Sequence, residues 1–411
     1  MRESIIQERE DPTTQHSIVV GLDLRNRDEL ETLLADIQNP HSPNYRRFLT
    51  PEEFDSRYAP RADAEQRVVD HLQASGLRVT HRFRNRLLVS AAGSVAALEH
   101  AFGVEMHTVS LRGKSHYASV SEPSLPDDVA SDVVGVIGLD DLAAMHPHVR
   151  AVQPSAAPSA ALGSFCCSLS PADLHALYDN SGTYDGGGQT VIIAGAYAWS
   201  AGDVTEFDAT WGLPSLPAGS GQVCTGTGTP AGCKTNFGSQ NQSIEVTLDV
   251  EYAHGTAPGA AILNYMAAST SNAAFTTMYN AIVNDNRGHV VTTSWGSCEA
   301  ENSLATQQMD DDIFANANAI GQSWFAATGD SGSRDCTDNQ GLLSVDHPAN
   351  SPHVIGVGGT TPVCSSGMIA TNPACAGYGS ESGWSGSGGG MSQAFSRPSF
   401  QTSCGVPAGP Q

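Results

Sequence analysis

Hydrophobic and polar positions in the first 145 residues follow helix and strand periods in turn. The patterns predict strands around 19–23, 87–90 and 106–111 and helices over 27–37 and 62–75. A further helix is predicted to begin at Pro51, because Thr50 and Glu53 flank it with the spacing of a capping box. These elements predict a compact α+β unit over residues 1–145.

Residues 146–165 show no hydrophobic periodicity. The segment HPHVRAVQPSAAPSAALGS is rich in proline, alanine and serine, which is typical of a linker that proteases can reach. We therefore predict a linker between the first unit and the rest of the chain.

From residue 166 to 411, short apolar runs alternate with helical patterns. Predicted strands cover 190–197, 261–266, 289–295, 324–327 and 354–357, and predicted helices cover 203–211, 273–283 and 303–320. Apolar runs of this length separated by helices indicate an α/β domain whose parallel sheet has helices on both faces. The ends of such strands are where chemistry is expected.

Charge excludes several classes of function. The 411 residues contain 43 Asp and Glu against 20 Lys and Arg, a net charge of −23. Nucleic-acid binding and docking on anionic lipid both need clustered basic residues, so neither is expected. The longest apolar stretch, 191–199, is far shorter than the ~20 residues of a membrane helix.

Basic residues are divided unevenly between the two parts of the chain. Of the 20 Lys and Arg, 16 precede residue 166, as do nine of the 14 histidines. Once acid has neutralised the carboxylates, positive charges repel one another and favour unfolding. We therefore expect acid to destabilise the first part and to spare the second.

Cysteine usage indicates an oxidising, extracellular location. All nine cysteines lie at or beyond Cys166, and pairs such as Cys224/Cys233 and Cys364/Cys375 could close small loops. The odd number leaves one without a partner within the chain. The first residues, MRESIIQERE, contain no apolar core of a signal peptide, so the true start is expected upstream or export follows another route.

The segment SIEVTLDVEYAHG contains the first candidate for chemistry. Its apolar residues alternate strictly with polar ones, which predicts a strand. In a strand, Glu245 and Asp249 would lie ~13 Å apart, whereas in a helix they share one face with Cβ atoms ~6 Å apart. On spacing alone, a solvated acidic face is the simpler interpretation.

Two short motifs look like those of other proteases. His254-Gly255-Thr256 is similar to the histidine motif of subtilisins, but the strand over 190–197 lacks their upstream acid. A histidine near a helix end is the simpler explanation. Residues 329–332, Gly-Asp-Ser-Gly, match the nucleophile motif of chymotrypsin-like enzymes, whose β-barrels do not fit an alternating α/β pattern, so a turn is expected instead.

Several segments together resemble the sedolisin family of serine-carboxyl peptidases with a pro-kumamolisin-type activation domain. In the first part they are SPNYRRFLTPEEF, YAPRADAEQRVVDHLQASGL and VVGVIGLDD. In the second part they are IEVTLDVEYAHGTAPGAAI, TTSWGS, AATGDSGS, HPANSPHVIGVGGT and SGSGGGMS. The resemblance implies a ferredoxin-like α+β activation domain before a subtilisin-like peptidase domain, and it implies that the activation domain packs on the peptidase domain.

The resemblance also implies roles for individual residues. It places Glu245 and Asp249 on a helix, as the general base and the acid that orients it, and makes Asp330 the oxyanion-hole acid. Ser294, Trp295 and Gly296 would form the strand that pairs with the backbone of a protein or peptide substrate. A carboxylate base has an ordinary pKa near 4.3, and a carboxyl donates only while protonated, so activity below about pH 5 is expected.

The family's Gly-Thr-Ser-x-x-x-Pro nucleophile motif does not occur in the 411 residues. Neither Ser331 nor Ser392 has a matching setting, and the calcium ligands of the family are also missing. We therefore expect a peptidase domain truncated at its C-terminus, a chain that is monomeric, without a cofactor and inactive alone. The alternatives are a non-catalytic pseudoenzyme or chaperone-like fragment, and a secreted binding module.

Overall fold

The computed structural model describes residues 4–148, 169–180, 184–225, 241–334, 343–365 and 375–402. We call residues 4–148 the N-terminal part and the remaining described residues the C-terminal part. None of the helices in these ranges combines the length and apolar character that a membrane crossing requires.

The N-terminal part is built on a four-stranded antiparallel sheet. Its elements are β1 (Ile5–Arg9), β2 (Gln15–Leu22), α1 (Arg27–Gln38), α2 (Pro51–Arg57), α3 (Ala62–Ala74), β3 (Arg78–Arg82), β4 (Leu88–Ser94), α4 (Val95–Phe102), β5 (Met106–Leu111), β6 (Lys114–Ser119), α5 (Asp127–Ala130), β7 (Val133–Ile137) and β8 (His146–Pro147). The sheet order β3-β4-β2-β7, with helices after its first and third strands in the chain, is the ferredoxin-like arrangement that we expected. Strands β1, β5 and β6 form a second sheet.

The C-terminal part is built on a six-stranded parallel sheet in the order β10-β11-β9-β12-β14-β16. Its elements are α6 (Pro171–Leu177), β9 (Thr190–Gly195), α7 (Ala201–Trp211), β10 (Gly221–Cys224), α8 (Asn241–Thr256), β11 (Ala261–Met266), α9 (Asn272–Asp285), β12 (Val290–Thr293), β13 (Trp295–Cys298), α10 (Leu304–Ala319), β14 (Ser323–Ala327), β15 (Asp346–His347), β16 (Ile355–Val357), β17 (Thr360–Cys364) and β18 (Tyr378–Gly383). Helices flank the sheet, so the predicted α/β class with a parallel sheet is confirmed.

Local sequence signals explain where two of the helices begin. Thr50 Oγ1 accepts a hydrogen bond from Glu53 N, and Glu53 Oε2 accepts one from Thr50 N, so the predicted capping box opens α2. Ser170 and Asp173 form the same reciprocal cap at α6. These caps satisfy backbone N–H groups that have no partner within the helix.

One predicted boundary is wrong. The strand predicted over 289–295 breaks at Ser294, where the chain leaves the parallel sheet after β12 and β13 joins an antiparallel one in the order β15-β13-β8. The first two residues of the predicted linker, His146 and Pro147, form the short strand β8, which pairs with β13. These pairings join distant parts of the chain and leave no local periodicity.

One disulfide of the described residues closes the β17–β18 hairpin. Cys364 and Cys375 are bonded, with Cα atoms 5.4 Å apart, which confirms the loop considered from the sequence. Both cysteines are buried and pack against Leu177 of α6. Cys224 is also disulfide-bonded, while Cys233, its predicted partner, lies outside the described residues.

The N-terminal part packs against α9 and α10 through strands β2 and β7. A single hydrophobic cluster contains Val19 and Leu30 from one side together with Phe314 and Trp324 from the other. Because that core is shared, burial of apolar surface stabilises the contact between the two parts.

Polar contacts add to this interface. Arg27 of α1 forms ion pairs with Asp311 and Asp312, which are each only 2% exposed on α10. Asn85 Nδ2 donates to Asn280 Oδ1 at 2.7 Å, and both residues are fully buried. Breaking a buried charge pair by removing one partner is strongly destabilising, so Arg27 anchors the N-terminal part.

Two glycines allow the close approach of α10. A Cβ on Gly135 of β7 would lie 2.5 Å from Ala305 Cβ, and one on Gly21 of β2 would lie 2.5 Å from the Met309 side chain. The Met309 side chain is flexible and can move away, whereas the Ala305 methyl group is attached directly to the helix backbone and cannot. A side chain at position 135 is therefore tolerated less well than one at position 21.

We expect Gly135→Val to lower the free energy of unfolding by about 1–3 kcal/mol, the usual effect of overpacking. The valine would push β7 away from α10 and loosen the N-terminal part. Thermal unfolding and the rate of limited proteolysis report this change. Gly221→Ala is the matched control, since a Cβ on that strand glycine meets nothing within 4 Å. Equal melting temperatures for Gly135→Val and wild type would contradict the prediction.

Candidate active site

The segment with alternating polarity is a helix, so its period-2 interpretation is wrong. In α8, Val246 and Val250 are fully buried, whereas Ile244 and Leu248 are 47% and 39% exposed. A strand would have placed these four apolar residues on one face. Glu245 and Asp249 instead lie one helical turn apart on the same side.

The carboxyl groups of this pair have shielded oxygens, although Asp249 as a residue is half-buried. Glu245 is 2% exposed, and neither its Oε2 nor Asp249 Oδ2 has a hydrogen-bond partner in the described part of the chain. An unpartnered buried carboxyl is costly to retain for stability alone, so a solvated acidic face is excluded.

Ser294 connects the pair to the sheet. Its Oγ donates a hydrogen bond to Asp249 Oδ1 at 2.7 Å. Because Ser294 lies between β12 and β13, the hydroxyl points from the end of the parallel sheet toward α8.

Burial raises the pKa of Glu245 well above its ordinary value, and the negative charges of Asp249 and Asp330 act in the same direction. Burial also raises the pKa of Asp249. The Ser294 hydroxyl, hydrogen-bonded to Asp249, opposes both shifts because it favours the charged forms. The pair is therefore neutral over the acid range in this structure.

Asp330 lies just after β14, at the same end of the sheet, and is half-buried. Because β12 and β14 are neighbours in the parallel sheet, Asp330 and Ser294 follow adjacent strand ends, and the charge of Asp330 helps to raise the pKa of Glu245. Four predicted residues, Glu245, Asp249, Ser294 and Asp330, therefore lie at one end of the sheet.

The predicted substrate-binding strand is occupied by the chain itself. Trp295 and Gly296 of β13 pair antiparallel with Pro147 and His146 of β8, and His148 N donates to Ser294 O at 2.9 Å. Ser294–Gly296 therefore do bind an extended peptide backbone, in this case the end of the N-terminal part.

A side-chain contact accompanies this strand pairing. His148 forms an ion pair with Asp346 of β15, and both side chains are at least nine-tenths buried. The pair lies directly over Gly296, where a Cβ would come within 2.5 Å of Asp346 Oδ2. Sequence reasoning missed His148 and Asp346, because no local motif joins residues almost 200 positions apart.

The His254 motif has the simpler explanation. His254 is fully buried in α8, and its Nε2 lies 2.7 Å from Pro214 O, so it has a structural role. Ser392 donates to Glu299, which also accepts hydrogen bonds from two following backbone N–H groups. No group of three or more His, Cys, Asp or Glu in the described ranges is arranged to hold a metal ion.

Comparisons with known proteins cover both parts of the chain. Residues 3–142 match the model for the pro-kumamolisin activation domain, and residues 224–396 match the model for the subtilase family. Sedolisin from Pseudomonas sp. (strain 101) is 34% identical over 94% of this chain and 67% of its own length. Xanthomonalisin from Xanthomonas sp. (strain T-22) is 29% identical over 94% of this chain, which spans 51% of that relative.

A solved structure agrees with these relatives. Pseudomonas sedolisin, a serine-carboxyl proteinase complexed with pseudo-iodotyrostatin, superposes with a TM-score of 0.51 at 30% identity. The superposition covers 60% of this chain and 69% of the other.

Proposed function

The chain belongs to the sedolisin family of serine-carboxyl peptidases, and on that premise we propose that it is the zymogen of an acid-active endopeptidase. The observation that carries the proposal is the buried pair Glu245–Asp249, bound by Ser294 and facing Asp330 at the end of the parallel sheet. A buried carboxyl pair with shifted pKa values is typical of a proton-transfer site, where one carboxyl acts as base once it is ionised.

The reaction assigns one step to each side chain. As a serine Oγ bonds to the substrate carbonyl carbon, Glu245 takes its proton, and Asp249 orients Glu245. Asp330 donates a hydrogen bond to the oxyanion. The carbon–nitrogen bond then breaks, and Glu245 returns the proton to the leaving nitrogen. Water hydrolyses the acyl-enzyme by the reverse sequence, and no step needs a metal.

The nucleophilic serine of this mechanism is the serine of the family motif Gly-Thr-Ser-x-x-x-Pro. That motif is not found within the 411 residues. Activity is accordingly proposed for the complete protein, and the 411-residue chain alone is proposed to be inactive. The calcium ion of the family has no part in the proposed chemistry.

We assign residues 1–145 to an activation domain, 146–165 to a connecting segment and 166–411 to the peptidase domain. The pairing of β8 with β13 supports a zymogen, because a peptide cannot pair with Ser294–Gly296 while β8 is there. We propose an extracellular location on the cysteine usage, and we also propose that the enzyme is a monomer.

The raised pKa of Glu245 refines this proposal. A protonated carboxyl cannot accept a proton from serine, so the described structure corresponds to the latent form. We propose that removal of β8 admits water and lowers the pKa of Glu245 toward its ordinary range. The rising acid limb of the pH–rate profile then reports the ionisation of the pair in the processed enzyme.

The test is hydrolysis of a denatured protein substrate by the complete protein after acid processing. We expect cleavage within the substrate chain that is at least tenfold faster at pH 4 than at pH 7. An optimum at neutral pH would contradict the acid mechanism. Binding of peptides without hydrolysis at any pH would favour the non-catalytic alternative.

A further inference from the structure

We propose that Ser294 is a positioning residue: its hydroxyl fixes the Asp249 carboxyl and stabilises the charged form of the Glu245–Asp249 pair, while its carbonyl holds the peptide strand that covers the site. The inference rests on the proposed function, because it concerns the same acid pair. It adds a side-chain role to a residue that was expected to act through its backbone.

The backbone of Ser294 is held on both sides. Thr293 Oγ1 donates to Ala194 O of β9 at 2.9 Å and accepts a hydrogen bond from Trp295 N at 3.2 Å. The carbonyl of Ser294 accepts a hydrogen bond from His148 N at 2.9 Å. The hydroxyl is therefore presented to α8 from a fixed position.

The hydroxyl has one defined acceptor. Ser294 Oγ donates to Asp249 Oδ1 at 2.7 Å, which leaves Asp249 Oδ2 unpartnered in the described part of the chain. Glu245 Oε2 is also unpartnered, one helical turn away. Each carboxyl thus keeps one oxygen available for a proton, which a pair that relays protons requires.

The electrostatic surroundings make this donor important. Burial favours the neutral forms of Glu245 and Asp249, and for Glu245 the charges of Asp249 and Asp330 add to it. The Ser294 hydroxyl, hydrogen-bonded to Asp249, acts in the opposite direction on both acids. Without it, the pair would ionise only at a higher pH.

The same residue joins the covering strand to the acid pair. When β8 leaves, Ser294 loses the hydrogen bond to its carbonyl, and a substrate backbone that pairs with β13 restores it. The position of the hydroxyl, and with it the protonation of the pair, then depends on whether a peptide is bound.

The test is a pH titration of the full 411-residue chain with ¹³C-labelled Asp and Glu. NMR monitors the carboxyl signals of the side chains during the titration. We expect Ser294→Ala to raise the higher apparent pKa of the pair by about one unit, the size of one hydrogen bond to a charged group. Ser294→Thr keeps the hydroxyl and should titrate like wild type.

Ser297→Ala is the matched control. Ser297 is a buried residue of β13 whose hydroxyl contacts Asn302 and Met145 and has no bond to the acid pair. It should leave the titration unchanged. A Ser294→Ala pair that titrates like wild type would overturn the inference alone. If the wild-type acids titrate at ordinary values, burial does not hold the pair neutral and the inference also falls, whereas the proposed function is decided separately by the hydrolysis assay of the complete protein.

Discussion

Replacing Glu245 with glutamine in the complete protein should lower kcat by about 10³-fold or more, while folding and melting temperature stay unchanged. Glutamine has the shape of a protonated glutamate. Because burial already keeps Glu245 neutral below neutral pH in the folded chain, the substitution removes the proton acceptor without disturbing the packing.

Peptide hydrolysis at pH 4 and a thermal melt of the same sample check this prediction. Glu251→Gln is the matched control, since Glu251 is a half-buried acid on the same helix whose pKa is raised to about 7 by burial, Asp203 and Asp208. It should keep its activity. Turnover by Glu245→Gln within tenfold of wild type would rule out Glu245 as the base.

The second large effect is on stability, which should rise as the pH falls from 8 to about 5. Burial raises the pKa of Asp312 to about 7, despite the ion pair with Arg27, and that of Glu251 also to about 7. Both acids have ordinary values near 4. The folded chain therefore binds more protons than the unfolded chain between about pH 4 and pH 7.

Because the folded chain binds these protons more tightly, protonation stabilises it. The contribution of Asp312 and Glu251 to the free energy of unfolding is fully present below about pH 4 and is lost as the pH rises through 7. His353 acts in the same direction: burial disfavours its charged ring, but hydrogen bonds with Asp311 and Glu31 raise its pKa to about 9. Together we expect a melting temperature higher by about 5 °C at pH 5 than at pH 8.

Below pH 4 the trend should reverse. Hydrogen bonds from Cys375 N and Ser170 hold the pKa of Asp173 below its ordinary value despite burial, so this contribution is lost in strong acid. The charge of the first part of the chain acts in the same direction, because 16 of the 20 Lys and Arg lie there.

Calorimetric melts at pH 3, 5 and 8 measure both limbs. The double variant Glu251→Gln/Asp312→Asn should reduce the change in melting temperature between pH 5 and pH 8, while His353 and the Glu245–Asp249 pair keep the remainder. Glu206→Gln, on the exposed face of α7, should leave the whole profile as in wild type. A melting temperature that rises from pH 5 to pH 8 would show that the buried acids are ionised.

The sequence predicted most elements whose signals are local. The capping box at Thr50 and the helix predicted over 27–37 follow from neighbouring residues, and both form, the helix as Arg27–Gln38. Helix α8 shows the limit of such signals. Its alternating pattern is typical of a strand. The helix forms because of tertiary packing, which buries Val246 and Val250 but not Ile244.

The candidate site could be predicted only through the resemblance. Glu245, Asp249 and Asp330 belong to motifs that the sequence displays, so they could be named. The hydrogen bond from Ser294 to Asp249, and the ion pair of His148 with Asp346, join elements far apart in the chain. No periodicity or spacing encodes such contacts.

Strand β13 has a neighbour on each edge, β15 on one side and β8 on the other. A peptide that pairs with β13 must therefore displace β8, because neither edge of β13 is free in the described structure. While the chain is continuous, tethering keeps β8 at a high effective concentration that few free peptides match. A single cut after His148 removes that advantage, and dilution alone then favours the open site.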